Sequence, residues 1–255
     1  MIEVKNLYKG FGGDNILKGV SATFHPGKTS LIIGQSGSGK TVFLKSLIGL
    51  HIPDDGSIIF DGKLSSKFTE NEKQQWRQDI GMVFQGSALL DSQTVEENVM
   101  FPLKMFTQQS HEVMLDRVNF VLKRVNLENS NKKLPAELSG GMQKRVAIAR
   151  AIVMNPKYLF CDEPNSGLDP QTAIVIDKLI QEITKEYNIT TVINTHDMNS
   201  VMEIGEKIIF LKDGLKAWEG TSDEVFKTDN EAVVSFVYSS NLFKKVREAY
   251  LKETK

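Results

Sequence analysis

The stretch TSLIIGQSGSGKTVFLKSLIGL, residues Thr29–Leu50, decides the fold of this chain. It begins with a continuous apolar run that ends at a glycine, which is typical of a strand buried on both faces. Its last ten residues predict a helix, because apolar side chains recur there at helical spacing. These side chains are Phe43, Leu44, Leu47 and Leu50. A strand, a glycine-rich loop and a helix, in this order, form the local context of a phosphate-binding loop.

The phosphate loop, GQSGSGKT at Gly34–Thr41, fits the pattern G-x-x-x-x-G-K-[ST]. Its glycines allow backbone N–H groups to turn inward around phosphates, and Lys40 adds a positive charge for the terminal phosphates. The Thr41 hydroxyl is placed to bind Mg²⁺, the ion that neutralises a triphosphate. The predicted ligands are therefore a nucleoside triphosphate and Mg²⁺. The predicted phosphate-binding residues are Gly34, Gln35, Ser36, Gly37, Ser38, Gly39, Lys40 and Thr41.

Composition and charge are those of an ordinary globular protein. The chain has 255 residues, of which 40% are hydrophobic and 25% are charged, and its formal net charge is −1. This charge gives no reason to expect a nucleic-acid partner. The single cysteine, Cys161, excludes an internal disulfide and most cysteine metal sites, and its apolar neighbours predict a buried side chain.

The sequence shows no signal for membrane insertion or export. No apolar stretch approaches the ~18 to 20 residues that span a bilayer, and the N-terminus MIEVKNLYKG is strand-like rather than a signal peptide. We therefore expect a cytoplasmic protein, for which docking on a membrane protein stays open.

No repeat or linker interrupts the chain, which predicts one domain over residues 1–255. Residues 2–7 and 16–25 are rich in β-forming side chains and predict antiparallel strands. From Thr29 onward strands alternate with helices, which predicts an α/β fold with a mainly parallel sheet. Residues 86–137 predict a helical subdomain inserted into this fold, because they are polar apart from one apolar helical face. The apolar face contains Met114, Val118, Val121, Leu122 and Val125.

Capping residues mark two further helix starts. Asp169 and Pro170 have the types preferred at an N-cap and at the first helical position. Thr221 and Glu224 have the spacing of a capping box at the start of the C-terminal extension, residues 221–255.

Polar side chains follow several predicted strands. Asp162 and Glu163 come directly after the apolar strand YLFC. With a phosphate loop upstream, they predict a metal-supporting carboxylate and a general base for the attacking water, the latter worth about 10² to 10⁴ in rate. Gln85 and His196 also end predicted strands, where they would reach Mg²⁺ or the γ-phosphate. Taken alone, each is better explained by a structural role.

A second helix start suited to phosphate lies in LSGGMQKRVAIARA, residues Leu138–Ala151. We name Leu138–Gly141 the LSGG turn. Because it lies beyond the helical insert, we expect it to contact a nucleotide held by another copy of the chain rather than by its own phosphate loop. ATP would then join two chains head to tail, and hydrolysis would release them. The alternative is a plain N-cap at Ser139.

Five motifs in order resemble the nucleotide-binding subunit of ABC transporters. They are GQSGSGKT, Gln85, LSGGM, YLFCDEP with SGLD, and His196, and the similarity extends from Ile2 to Gly220. The resemblance implies a P-loop NTPase with an N-terminal antiparallel β subdomain, a mainly parallel core sheet and an inserted α-helical subdomain. It also implies an ATP-driven homodimer beneath two membrane permease subunits.

The resemblance also implies roles for single residues. Glu163 is the catalytic base, His196 is the switch residue, and Gln85 senses the γ-phosphate and communicates with the permease. Mg²⁺ is assigned to Thr41, Gln85 and Asp162.

Further roles concern the adenine and the dimer interface. Phe11 stands where the family stacks an aromatic ring on adenine, with Tyr8 as the alternative, and Asp169 lies at the dimer seam. The residues implied to act on the partner copy's ATP are Ser139, Gly140 and Gly141.

A narrower resemblance is to the ATPases of Mla/Mce-type phospholipid transporters. It is carried by the helix after the LSGG turn, the phosphate loop with its helix, and MVFQGSALLDSQTVEENVMFPL. It implies phospholipid transport between the inner and outer membranes, from the cytoplasmic face of the inner membrane. The implied partners are MlaE-like permease subunits, an MCE-domain protein and a small regulatory subunit. At Met142 the chain departs from the glutamine that is usual in ABC transporters.

Two segments receive roles from these resemblances. Gln85–Met105 is implied to dock the permease, and the aromatic C-terminal segment is implied to clasp the neighbouring ATPase or a small regulatory partner. Its aromatic residues are Phe236, Tyr238, Phe243 and Tyr250. Plain packing is the alternative in both cases. No residue is expected to touch the cargo. Alternative functions are a polar-solute importer ATPase, for example for an amino acid, a non-transport ABC ATPase, and a P-loop kinase or GTPase.

Overall fold

The computed structural model describes residues 1–238, which divide into two compact units. The first unit contains Met1–His25, Thr29–Lys67 and the chain from Val192 onward, and the second contains Pro26–Lys28 and Phe68–Thr191. None of the helices in this described range has the length and apolar character needed to cross a bilayer.

The helices and strands follow one another in this order: β1 (Ile2–Phe11), β2 (Asp14–Phe24), β3 (Thr29–Ile33), α1 (Lys40–Leu47), β4 (Asp55–Phe60), β5 (Lys63–Leu64), α2 (Glu70–Gln78), β6 (Ile80–Val83), α3 (Val95–Phe106), α4 (His111–Arg124), α5 (Gly140–Ile152), β7 (Tyr158–Asp162), α6 (Pro170–Glu186), β8 (Thr190–Asn194), α7 (Met198–Ile204), β9 (Lys207–Lys212), β10 (Leu215–Gly220), α8 (Ser222–Lys227) and α9 (Glu231–Val237).

The first unit begins with an antiparallel sheet of strand order β2-β1-β4-β5. This confirms the antiparallel N-terminal strands, which are longer than predicted because β1 and β2 continue to a tight turn at Gly12–Gly13. The two turn residues have φ values of 59° and 98°, a conformation that glycine adopts without steric cost.

A second set of strands in the first unit has the predicted mainly parallel character. β3 pairs parallel with β9, and β9 pairs antiparallel with β10. Every residue of β3 is buried, as its apolar sequence predicts. The predicted capping box of Thr221 and Glu224 is present at α8, and the ring of Phe236 in α9 lies 5.2 Å from that of Phe210 in β9.

The helix after the phosphate loop is shorter than predicted. α1 ends at Leu47, and Gly49 has a φ of 74°, which turns the chain out of the helix. Leu50 is therefore not part of the apolar helix face, and it is 61% exposed. Phe43, Leu44 and Leu47 are fully buried, as predicted.

The second unit contains the parallel strands β6 and β7 and the helices α2 to α6. The chain is not helical directly after Gly86, because Ser87 and Ala88 have left-handed φ values of 62° and 47° and α3 begins only at Val95. The apolar face predicted for residues 86–137 is buried, at Met114, Val118, Val121, Leu122 and Val125. Together, the antiparallel sheet, the mixed sheet strands and the helices give the predicted α/β fold.

Candidate active site

The phosphate loop connects the buried strand β3 to α1 in the first unit. Gly34, Gly37 and Gly39 have φ values of 151°, 81° and 102°, which favour glycine over any other residue. A Cβ at Gly34 would also overlap the carbonyl oxygen of Leu211 and lie 2.7 Å from Ser38 Oγ. The loop therefore requires glycine where the backbone cradle for phosphate is predicted.

Two polar side chains complete this loop. Lys40 Nζ bends back to donate hydrogen bonds to Gly34 O at 2.8 Å and Gln35 O at 3.0 Å. Ser38 Oγ is buried without a hydrogen-bond partner among the described residues. A buried unpaired hydroxyl is costly, and a bound anion would satisfy it. The loop thus fits a phosphate-bearing ligand.

A small cleft borders the phosphate loop. Its volume is about 80 Å³, and its walls are loop residues 35–38, the end of β9, and Ala232 and Ser235 of α9. The hydroxyl of Tyr238, just after α9, donates a hydrogen bond to Val225 O at 3.2 Å. The described part of the C-terminal extension therefore packs within the first unit, while Phe243 and Tyr250 lie outside the described residues.

His196 and Phe11 also belong to the first unit. Thr195 N–H donates a hydrogen bond to Ile32 O at 3.1 Å, so the exposed His196 follows a residue attached to the end of β3. Phe11 is 47% exposed at the tip of β1, and its ring lies edge-on to His51 at 5.1 Å. Tyr8 points across the sheet instead, because a Cβ at Gly19 would lie 2.8 Å from its hydroxyl oxygen.

The second unit brings together Gln85 and Glu163. Val83 of β6 is in register with Cys161 of β7, and the two polar residues each follow two positions later. Because the strands are parallel, both side chains emerge at the same edge. Gln85 Nε2 donates a hydrogen bond to Glu163 Oε2 at 3.0 Å. Gln85, a weak signal when taken alone, thus contacts the predicted general base.

The segment after β7 is tightly turned. Asp162 is half-buried at the end of the strand, and Glu163 has a left-handed φ of 48°, an unusual conformation for a glutamate. Two residues on, Asn165 Nδ2 donates a hydrogen bond to Asp177 Oδ2 of α6 at 3.1 Å, and both side chains are buried. The turn that carries Glu163 is therefore anchored to α6.

Lys144 is a residue near Glu163 that sequence reasoning missed. It lies on α5, is 5% exposed, and its Nζ donates a hydrogen bond to Gln85 O. Burial lowers the pKa of the Lys144 ammonium, and neighbouring Cys161 and Glu163 act in the opposite direction. In the sequence Lys144 stands among polar residues and indicates a solvated helix face, so no signal could have found it. Cys161 is buried, as expected, and this burial raises the pKa of its thiol.

The LSGG turn begins α5 in the second unit. Ser139 is the N-cap, and its Oγ accepts a hydrogen bond from Met142 N–H at 3.3 Å. Gly141 packs against α6, because a Cβ there would lie 2.7 Å from Thr172 Cγ2. Asp169 is the predicted N-cap of α6, and hydrogen bonds from the Thr172 side chain and backbone hold its pKa below the usual value. The turn therefore lies beside the start of α6.

An apolar groove in the second unit has a volume of about 320 Å³. Its apolar walls come from Phe84, Leu90, Phe101, Pro102, Phe106 and Met154. Phe84, Leu90 and Phe101 are each 38–39% exposed. Arg150 also lines the groove, and its guanidinium donates hydrogen bonds to Ser87 O and Ala88 O, both at 2.7 Å. Arg150 thus anchors the chain after Gln85 beside an accessible apolar surface.

Comparison with known proteins identifies the family of this chain. The ABC transporter family model matches residues 17–166, which is more than half of the chain. The chain belongs to the ABC transporter family. This ABC ATPase is similar to the methionine import ATP-binding protein MetN of Campylobacter jejuni, with 38% identity over 94% of the chain and 76% of the relative. It is 43% identical to MetN of Clostridium tetani over 85% of the chain and 67% of the relative.

Other relatives have different names. The probable ribonucleotide transport ATP-binding protein mkl of Mycobacterium tuberculosis is 37% identical over 92% of the chain and 66% of the relative. These names cover methionine and ribonucleotide transport, so they support the ABC part of the resemblance and not its phospholipid part.

Solved structures share the fold. The dimeric ABC transporter cassette MJ0796 matches with a TM-score of 0.79 and 36% identity, over 87% of this chain and 99% of that one. A post-hydrolysis dimer of the same cassette, bound to ADP and Pi, matches with a TM-score of 0.78 and 35% identity. The chain cbiO1 of Clostridium perfringens, part of the transporter complex cbiONQ, matches with a TM-score of 0.82 and 31% identity over 98% of both chains. The protein is therefore a transport ATPase of the ABC type, with ATP as its nucleotide.

Proposed function

We propose that this ABC ATPase is the energising subunit of an importer for a small polar solute such as an amino acid. It would work as a homodimer bound to membrane permease subunits at the cytoplasmic face. The hydrolytic part of the proposal is carried by the contact of Gln85 with Glu163, and the solute class is supported by the names of the MetN relatives.

Residues of the first unit bind ATP in this proposal. The phosphate loop supplies backbone N–H groups, and Lys40 supplies a charge that its bonds to the loop carbonyls already hold in place. Phe11 offers an exposed aromatic face for the adenine, and His196 contacts the terminal phosphate. Mg²⁺, when bound, neutralises phosphate charge, and the oxygen atoms of Thr41, Asp162 and Gln85 are of the kind it prefers.

Glu163 is the proposed general base, which accepts a proton from the attacking water. Gln85 orients it through the hydrogen bond at 3.0 Å. The left-handed backbone of Glu163 supports this role, because strained conformations concentrate at functional sites.

The LSGG turn acts on the ATP of the partner copy in this proposal. Gly140 is exposed and Gly141 is half-buried at the start of α5. Backbone N–H groups and the helix dipole favour an anion at this place. Met142 is compatible with this role, because its backbone N–H bonds the N-cap and its side chain is not required there. Ser139 is then both an N-cap and an anion contact.

The apolar groove is the proposed docking site for a permease segment, within the stretch Gln85–Met105. Phe101 and Met105 are 39% and 60% exposed on α3. A partner with an apolar helix end would bury these side chains. Arg150, which lines the groove and bonds the chain after Gln85, would couple the docked partner to that segment.

The competing proposal for the cargo is phospholipid, which is supported by the narrower sequence resemblance alone.

Purification from native membranes tests the proposal. The tagged chain is isolated in mild detergent, and its partners and bound lipid are identified. Phe101→Asp is compared with Phe120→Asp, the same change at an exposed position of α4, as the matched control. Recovery of a permease with a solute-binding protein, lost in the Phe101 variant only, supports the importer. Recovery of a permease with an MCE-domain protein and phospholipid replaces the importer with a lipid transporter. The absence of any membrane partner would overturn the transport proposal.

A further inference from the structure

A buried ammonium group lies between the LSGG turn and the catalytic segment. Lys144 follows Gly140 by one helical turn on α5, and its side chain is directed into the second unit rather than into solvent, with 5% of the residue exposed. Burying a lysine is unfavourable unless its charge is compensated. A surface position on the same helix would avoid this cost, so the placement itself needs a reason.

The contacts of Lys144 supply that reason. Its Nζ donates a hydrogen bond to the backbone carbonyl of Gln85, and the side chain of the same Gln85 donates to Glu163 Oε2 at 3.0 Å. Gln85 thus accepts a hydrogen bond from the Lys144 ammonium at its backbone carbonyl and donates one to Glu163 from its side-chain amide. The negative charge of Glu163 also interacts favourably with the ammonium.

We propose that Lys144 is a positioning residue for Glu163, acting through the Gln85 segment and joining the geometry of the base to helix α5. The inference rests on the proposed role of Glu163 as general base. Gly140 and Lys144 share one face of α5, so a contact made by the LSGG turn reaches the base through one rigid helical turn. In the proposed homodimer, this path connects the nucleotide contacted by the LSGG turn with the base that serves the other nucleotide.

Substitution of Lys144 separates positioning from folding. Lys144→Met keeps the length of the side chain and removes the charge and the donors. It also leaves the Gln85 carbonyl without the donor that it has in the wild type, which is expected to cost some stability. We therefore expect a small fall in melting temperature with the chain still folded, an unchanged Kd for ATP, and a kcat lower by roughly 10- to 100-fold, the scale of a misplaced catalytic group.

Three comparisons make this test specific, all on the full chain in its purified complex. Lys144→Arg keeps a cationic donor and should retain more kcat than Lys144→Met. Lys123→Met, at an exposed position of α4, makes the same change away from the site and should leave kcat unchanged. In a Gln85→Ala background, Lys144→Met should cost much less, because the path to Glu163 is already broken.

Two outcomes would overturn the positioning role. One is a wild-type kcat in Lys144→Met, and the other is a parallel loss of melting temperature and ATP binding in both Lys144 variants. Failure of the proposed function looks different. If Glu163 is not the general base, the Glu163→Gln variant hydrolyses ATP at the wild-type rate, whatever the kcat of the Lys144 variants.

Discussion

Asn165 Nδ2 donates a hydrogen bond to Asp177 Oδ2 at 3.1 Å, and this contact ties the turn after Glu163 to the middle of α6. Asp177 is 2% exposed and Asn165 is 8% exposed, so the bond forms away from water. Removing one partner leaves a buried polar group unsatisfied, at a cost of about 1–3 kcal/mol. We expect Asp177→Ala to lower the free energy of unfolding by this amount and also to lower kcat, because the turn carries the base.

A double-mutant cycle measures the contact itself. Asn165→Ala and Asp177→Ala should be less than additive in urea unfolding, since either change breaks the same bond. Strict additivity would show that the two side chains do not stabilise each other.

Position 141 has no room for a side chain. A Cβ there would lie 2.7 Å from Thr172 Cγ2, whereas a Cβ at Gly140 would meet Leu168 Cδ2 at an ordinary 3.4 Å. We expect Gly141→Ala to destabilise the protein by about 1–3 kcal/mol through overpacking. Gly140→Ala is the matched control and should cost less in thermal unfolding.

A second substitution should relieve this clash. Thr172→Ser removes Cγ2 and keeps the hydroxyl that bonds Asp169 Oδ2 at 2.5 Å. Gly141→Ala combined with Thr172→Ser should therefore be more stable than Gly141→Ala alone. If the pair is no more stable, the clash is not the cause.

Lys40 should control ATP affinity. Its ammonium is held at the loop by two carbonyl oxygens and supplies the positive charge for the phosphates. Hydrogen bonds to charged groups contribute about 1.5–3 kcal/mol, so Lys40→Ala should weaken the Kd for ATP by roughly 10- to 100-fold in calorimetric titration. Lys18→Ala, an exposed lysine of β2, should leave the Kd unchanged. Equal affinities for both variants would contradict the assignment of the phosphate loop.

Phe11 rather than Tyr8 should stack on the adenine. The two residues are similarly exposed, by 47% and 41%, but Phe11 stands at the tip of β1 while the Tyr8 ring lies over Gly19. Stacking of a base on an aromatic ring contributes about 1–3 kcal/mol, so Phe11→Ala should weaken ATP binding and Phe11→Tyr should restore it. Tyr8→Ala should have little effect. The reverse ranking in a fluorescent-ATP displacement assay would assign the adenine contact to Tyr8.

Glu163→Gln should bind ATP and fail to hydrolyse it. Loss of the general base lowers kcat by about 10²- to 10⁴-fold, while the neutral amide removes repulsion with the phosphates. We expect a stable dimer in the presence of MgATP, measured by size-exclusion chromatography with light scattering. Glu112→Gln, at an exposed position of α4, is the control and should hydrolyse ATP normally. A monomeric Glu163 variant with saturating MgATP would contradict the action of the LSGG turn on a partner's nucleotide.

Local features of this protein were predictable because neighbouring residues in the sequence decide them. The phosphate loop depends on glycine φ angles and one lysine within eight positions. The N-caps at Ser139 and Asp169 depend on hydrogen bonds between residues only three positions apart. The buried face of α4 followed from helical spacing alone. Helix α2 was missed because it buries no residue completely, although the capping box of Thr69 and Glu72 was a usable signal.

Only the tertiary structure decided how distant residues meet at Glu163. The contact with Gln85 depends on the register of β6 against β7, and no local spacing sets the pairing of two strands so far apart in the chain. In the sequence, Lys144 and Asp177 have the appearance of ordinary polar helix residues, and only the packing of the folded chain buries them. The sequence by itself determined the phosphate loop and the helix caps, since short-range sterics and hydrogen bonds are enough for both. The surroundings of the base required the folded chain, because burial and strand register are properties of the whole packing.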